Sequence, residues 1–247
     1  QENNKEEIKE NPPSIVTKQD TVTIAGRKID YRVTASTLAL KTAKDEDRAS
    51  IFHVAYERIG MADRHKRPVV FAFNGGPGSS AVWLHMGALG PRIVPTTPDG
   101  TKSLPPPLTV KENPQSILDI ADIVFIDPVS TGFSRAEGKT KADEFHGVKG
   151  DIRSVGDFIR RWVTENDRWA SPKYLLGESY GGIRAAGLAD HLQDEFGMSL
   201  NGVVLLSSLI DFRTLRSNIA DDLSYSIFFP GLTATSHYHK KIEGNRN

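Results

Sequence analysis

A chain of 247 residues, 38% hydrophobic and 25% charged, has the composition of an ordinary globular protein and enough length to bury a sizeable core. Lys plus Arg and Asp plus Glu both number 31, so no basic excess points to nucleic acid or an anionic membrane surface, and no apolar run is long enough to span a bilayer. With no cysteine, disulfide scaffolds, thiol nucleophiles and cysteine-ligated metal sites are excluded.

Residues 1–13, QENNKEEIKENPP, are almost entirely polar and end in a proline pair. Residues 1–20 are therefore expected to be a disordered lead-in, and residues 21–247 the folded portion. The first residue is Gln1 rather than Met, which fits a leader already removed and an exported, periplasmic or extracellular, protein. TVTIAGRKIDYRVTAS alternates apolar and polar residues around Gly26 and predicts a hairpin, and SIFHVAYERI continues the period of two. With half their positions polar, these strands are expected to be antiparallel and near a sheet edge.

The pattern changes at PVVFAFNGG, where residues 69–73 form a continuous apolar run, as expected of a strand buried on both faces. IVFI (residues 123–126), YLLG (174–177) and GVVLLSSLID (202–211) supply three more such strands. Between the second and third, Val148, Ile152, Val155, Ile159 and Trp162 recur at spacings of four and three and predict an amphipathic helix. Buried strands alternating with helices indicate an α/β fold with a mostly parallel sheet. Residues 92–115 hold six prolines and are expected to be a loop, as is the tail from Gly231.

The third buried run ends in Gly177-Glu178-Ser179-Tyr180-Gly181, and a small-residue helical pattern with Ala186, Gly187 and Leu192 follows. G-x-S-x-G between a strand and a helix is the signature of a turn that holds its serine in a strained conformation with the hydroxyl exposed above the sheet. The flanking glycines are needed because a side chain there would collide with nearby backbone. A serine nucleophile also needs donors for the oxyanion formed in acyl transfer. One is the amide of the next residue, Tyr180, and the other is expected from the glycine loop after the first buried strand, Asn74-Gly75-Gly76. A phosphate-binding reading of that loop fails, because no Lys-Ser or Lys-Thr follows at the required spacing and Pro77 removes an amide donor.

NGGPGSS (residues 74–80), ENP (112–114), IDPVSTGFS (126–134) and GESYGG (177–182), in this order, resemble the serine carboxypeptidase family, and GVKGDIRSVGDFI and LSYSIFFPGLTATSHYH resemble its bacterial members. The resemblance covers the N-terminal portion of a family member. It implies an α/β-hydrolase fold, hydrolysis of peptides with a free C-terminus, and no metal or organic cofactor. By motif, Ser179 would be the nucleophile, the amides of Gly76 and Tyr180 the oxyanion hole, and Asn74, Glu178 and the adjacent Gly75 the site for the substrate's terminal carboxylate. The family usually has Trp at the position of Ala72 and Glu at that of Ala88, so only a modest preference for a free C-terminus is expected.

The family's catalytic aspartate and histidine lie further downstream than Asn247, so the cap, the later strands and the missing C-terminal half are expected to come from a longer protein, and the chain alone is expected to be inactive or very weak. Asp211, after the fourth buried run, is acceptably placed for an acid. His191 should point away from the site, His237 and His239 read as a weak H-x-H pair on a strand, and His53, His65, His85 and His146 precede the nucleophile, against the Ser–Asp–His order. The alternatives to a serine carboxypeptidase are a truncated non-catalytic binding module, or an esterase or acyltransferase using the same nucleophile.

Overall fold

The computed structural model describes residues 15–97, 104–215 and 222–242. The chain divides into two compact units, residues 1–208 and 209–247. Strands β1 (Val16–Ile24) and β2 (Arg27–Lys41) form the expected antiparallel hairpin, closed by Ala25 and Gly26 with φ of 48° and 74°. Positive φ at both central residues lets a two-residue turn follow the right-handed twist of its strands. Because β1 begins at Val16, residues 16–20 are strand rather than lead-in: their polar side chains give a weak strand signal, but their backbone pairs with β2 from Val16↔Ala35 to Asp20↔Tyr31. Residues 1–14 lie outside the described residues.

Beyond β3 (Asp47–Arg58) the chain runs through β4 (Val69–Phe73), the single turn α1 (Val82–Leu84), β5 (Arg92–Ile93), β6 (Lys111–Glu112), β7 (Asp122–Ile126) and β8 (Arg135–Ala136). Helix α2 (Val148–Glu165), β9 (Lys173–Glu178), α3 (Gly181–Phe196) and β10 (Gly202–Leu206) complete the first unit. The main sheet has the order β1-β2-β3-β7-β4-β9-β10, with β8 added on β3. Pairing is antiparallel from β1 to β7 and parallel across β7, β4, β9 and β10. The described residues of the proline-rich stretch are irregular apart from the short β5–β6 pair, and residues 98–103 lie outside the described residues.

Apolar side chains fill both faces of β4, β7 and β9. On one, Phe71, Val124 and Leu175 pack with Val155, Phe158, Ile159, Trp162, Leu188 and Leu192, and the Phe71 and Trp162 rings meet edge-on at 5.5 Å. On the other, Val70, Ala72, Phe125 and Leu176 pack with Tyr31, Tyr56, Leu84 and Leu118. Helices α2 and α3 approach closely at glycines: a Cβ on Gly187 would stand 2.2 Å from Ile152 Cδ1, and one on Gly156 2.5 Å from the His191 ring. At the N-terminal ends of the parallel strands, Asp122 accepts from Arg67 and Arg168, both at 2.7 Å. Glu57 there takes Arg32 at 2.8 Å and Arg64 at 3.0 Å. Buried charges persist only when paired, so this cluster reads as structural.

Two expectations need correction. Strand β10 is present, but it is the edge of the sheet among the described residues, and Val203 to Leu206 are 39–54% exposed instead of buried. The tail from Gly231 is not a loop: in the second unit, helix α4 (Leu223–Tyr238) runs straight through Pro230 and Gly231. A proline in a helix interior removes one backbone bond and usually marks a break, which is why the sequence pattern misleads here. Among the described residues no helix is long and apolar enough to cross a membrane.

Candidate active site

Strands β4 and β9 are parallel neighbours in register from Val69↔Lys173 to Phe73↔Gly177, so the segments that follow them leave the same edge of the sheet side by side. Ligand sites in open α/β sheets gather at such carboxyl ends. After β9 the chain turns sharply at Ser179, whose φ of 58° lies in the left-handed region that non-glycine residues rarely enter. The turn is held by the Ser179 amide, which donates to the Leu206 carbonyl at 3.0 Å, and by the Gly182 amide, which donates to the Ser179 carbonyl at 2.9 Å. A Cβ on Gly177 would lie 2.0 Å from the Gly181 carbonyl oxygen, and one on Gly182 2.3 Å from Ser208 Oγ. Both are contacts that real Cβ atoms do not make, so the glycine pattern of GESYGG is set by sterics.

The glycine loop after β4 fits against this turn. A Cβ on Gly75 would be 2.4 Å from the Tyr180 nitrogen, 2.7 Å from the Glu178 oxygen and 2.8 Å from the Gly181 nitrogen. Gly76 follows with φ of 106°. Asn74, buried, donates through Nδ2 to Glu178 Oε2 at 3.0 Å and accepts the Leu84 amide on Oδ1 at 3.2 Å. Asn74, Gly76, Glu178 and Ser179 thus line one cavity of about 460 Å³, together with Ser79, Trp83 and Leu84. The loop and the turn come together as the motifs suggest.

Sequence reasoning missed three contributors. Trp83, 71% exposed, stands at the rim of this cavity, and its only signal was an aromatic residue soon after the glycine loop. Arg184 and Asp151 pair beneath the site: Arg184 Nε donates to both Asp151 oxygens at 3.0 and 2.9 Å, and its NH1 donates to the Asn74 carbonyl at 2.7 Å. The Tyr180 phenol packs over this guanidinium, and burial pushes its pKa up to about 12.

The remaining titratable candidates of the first unit lie elsewhere. His191 packs against α2 at Gly156 and meets the Phe196 ring edge-on. His65 faces Asp167 at 3.6 Å, His85 bonds the Tyr56 hydroxyl at 2.7 Å, and His146 bonds Ser130 at 2.9 Å. His237 closes helix α4 and His239 caps it, so the pair is helical rather than on a strand, and residues two apart do not share a helix face. Asp211, in the second unit, is engaged by the fork of Arg213 at 2.6 and 2.9 Å, which holds its carboxyl below the usual range. Among the described residues no histidine is hydrogen-bonded to Ser179.

A strained serine above the carboxyl edge of the parallel half of a mixed, helix-packed sheet, opposite a glycine loop, defines an α/β-hydrolase fold. The family model for serine carboxypeptidase matches residues 38–242. The chain belongs to the serine carboxypeptidase family. It is 27% identical over 172 residues to the lysosomal protective protein of Mus musculus, covering 69% of this chain and 33% of that one. It is 30% identical over 170 residues to serine carboxypeptidase-like 36 of Arabidopsis thaliana, covering 66% of this chain and 31% of that one. The chain thus spans about a third of the length of these relatives. In structure it is similar to a prohormone-processing carboxypeptidase from Saccharomyces cerevisiae, with a TM-score of 0.64 at 22% identity over 87% of this chain and 44% of that one.

Proposed function

We propose that this chain carries the nucleophile half of a serine-type carboxypeptidase. Ser179 attacks the carbonyl of the last peptide bond, and the amides of Gly76 and Tyr180 bind the oxyanion of the tetrahedral intermediate. The leaving amino acid takes a proton, and water then hydrolyses the acyl-enzyme. Asn74 and Glu178 receive the terminal carboxylate, with Gly75 keeping their loops in contact. The observation that carries this reading is the meeting of Ser179, at φ 58°, with the Asn74–Gly76 loop over one cavity. The general base of this reading comes from outside the described residues. An exported location belongs to the same reading, supported by the lysosomal placement in the mouse relative's name.

That no histidine among the described residues bonds Ser179 favours a second reading, a non-catalytic module that binds peptide ends. An esterase would share the nucleophile but have no use for Glu178. The test compares cleavage of a peptide acid with that of its C-terminal amide by the intact protein, including any segment beyond Asn247. A carboxylate held by two side chains is worth roughly tenfold in kcat/KM. Equal cleavage of acid and amide at every pH would replace the carboxypeptidase reading with an esterase or endopeptidase one, and no cleavage of either would favour the binding module.

A further inference from the structure

Arg184 lies in the first turn of α3, and its side chain is only 2% exposed. A guanidinium is buried at a cost unless its donors are met. Here Asp151, reaching across from α2, takes Nε with both oxygens at 3.0 and 2.9 Å. Such a pair could serve merely to staple α2 to α3. The rest of the guanidinium's surroundings argue for more. NH1 donates to the Asn74 carbonyl at 2.7 Å, and the guanidinium carbon lies 5.3 Å from the ring centres of both Phe73 and Tyr180. One side chain therefore touches the last residue of β4, the first residue of the glycine loop, and the residue after Ser179.

The Asn74 carbonyl belongs to the peptide immediately before the one that carries the Gly76 amide. Between them the chain is Gly75-Gly76, the least restrained backbone available, with Gly76 at φ 106°. An amide that must point at a developing oxyanion needs an anchor from outside such a segment, since a donor off by an ångström loses much of its effect. We infer that Arg184, fixed by Asp151, is a positioning residue that holds the Asn74 peptide against the Tyr180 side of the site and so sets the aim of the two proposed oxyanion donors. This rests on the serine-nucleophile reading above. A lysine could keep the charge but lacks the planar fork that meets Asp151 and the Asn74 carbonyl together.

The experiment is fluorophosphonate labelling of Ser179 in the intact protein, resolved into the reversible binding constant and the maximal labelling rate, alongside thermal melting. Arg184→Lys and Asp151→Asn are expected to slow the maximal rate roughly 10- to 100-fold, less than full loss of an oxyanion donor, while the binding constant stays within about twofold. Arg184→Met should slow it further than Arg184→Lys. Should Arg184→Met fail to fold, the other two variants decide. Folded Arg184→Lys and Asp151→Asn proteins that melt earlier but label at the wild-type maximal rate would make the pair a helix staple and overturn the inference. A wild-type protein that is not labelled at all would instead overturn the serine reading, and this inference with it.

Discussion

The Asn74 side-chain amide donates to the Glu178 carboxylate at 3.0 Å, joining two residues 104 positions apart in the chain. One follows β4 and the other ends β9, so the bond ties the glycine loop to the serine turn at the carboxyl edge of the sheet. Asn74 is further fixed by the Leu84 amide on its other side-chain atom and by Arg184 on its carbonyl. Three polar groups of this asparagine, Nδ2, Oδ1 and the backbone carbonyl, thus fix the start of the glycine loop. The site is assembled before any substrate arrives, which is the condition for stabilising charge without reorganisation.

The closest backbone approach in that assembly gives the first prediction. All three atoms that a Gly75 Cβ would meet, at 2.4, 2.7 and 2.8 Å, belong to backbone, so no side chain can swing aside. Gly75→Ala is expected to push the loop off the turn, destabilise the fold by about 3 kcal/mol and reduce labelling of Ser179 by ~100-fold. Gly26→Ala is the control: its Cβ would have nothing within 4 Å, and only its φ of 74° is unfavourable, so stability should fall by ~1 kcal/mol with labelling unchanged. Urea denaturation and labelling rates on both variants check this, and a Gly75→Ala protein with wild-type values would refute it.

A second prediction concerns pH. His53 is buried in β3, edge-on to Phe158, and its Nδ1 has no hydrogen-bond partner among the described residues. Burial pulls its imidazole down to about 4, against a weak opposing pull from the Ile51 carbonyl. The folded state therefore holds the neutral ring, whereas the unfolded chain takes up a proton near pH 6.5. Stability from this site is fully present above about pH 6.5, is lost as pH falls towards about 4, and does not change below that. At pH 4.5 the loss is about 2 to 3 kcal/mol, taking roughly 1.4 kcal/mol per pH unit. His85, also drawn down to about 4 by burial, adds a slope of the same sign. His53→Leu should flatten the fall in urea midpoint between pH 7.5 and 4.5. An unchanged slope would show that His53 takes up its proton as readily in the folded as in the unfolded chain.

How much of this was legible depends on how local each signal is. Strands β4, β7 and β9 announce themselves as short continuous apolar runs, and α2 as a stripe through Val155, Ile159 and Trp162, because burial on a regular element repeats along the chain. The Ser179 turn and the glycine loop were readable because a steric demand for glycine leaves a fixed local spacing. Arg184 and Asp151 were not, since a buried ion pair between two helices looks in sequence like two surface charges. The same holds for Asp122 with Arg67 and Arg168, partners 55 and 46 residues apart. The exposure of β10 depends on its place at the sheet edge among the described residues, which composition does not encode. Helix α4 was hidden by Pro230 and Gly231, where local propensity points the wrong way.

The most direct test of the account is the site of covalent capture. The intact protein, with any segment beyond Asn247, is treated with a fluorophosphonate and digested, and the modified peptide is identified by mass spectrometry. Ser179 is expected to carry the label, and Ser179→Ala to abolish both labelling and peptide turnover while leaving the melting temperature within a few degrees of wild type, since only a hydroxyl with no hydrogen-bonded histidine among the described residues is removed. Label on another serine, or labelling and turnover that survive Ser179→Ala, would contradict the central claim.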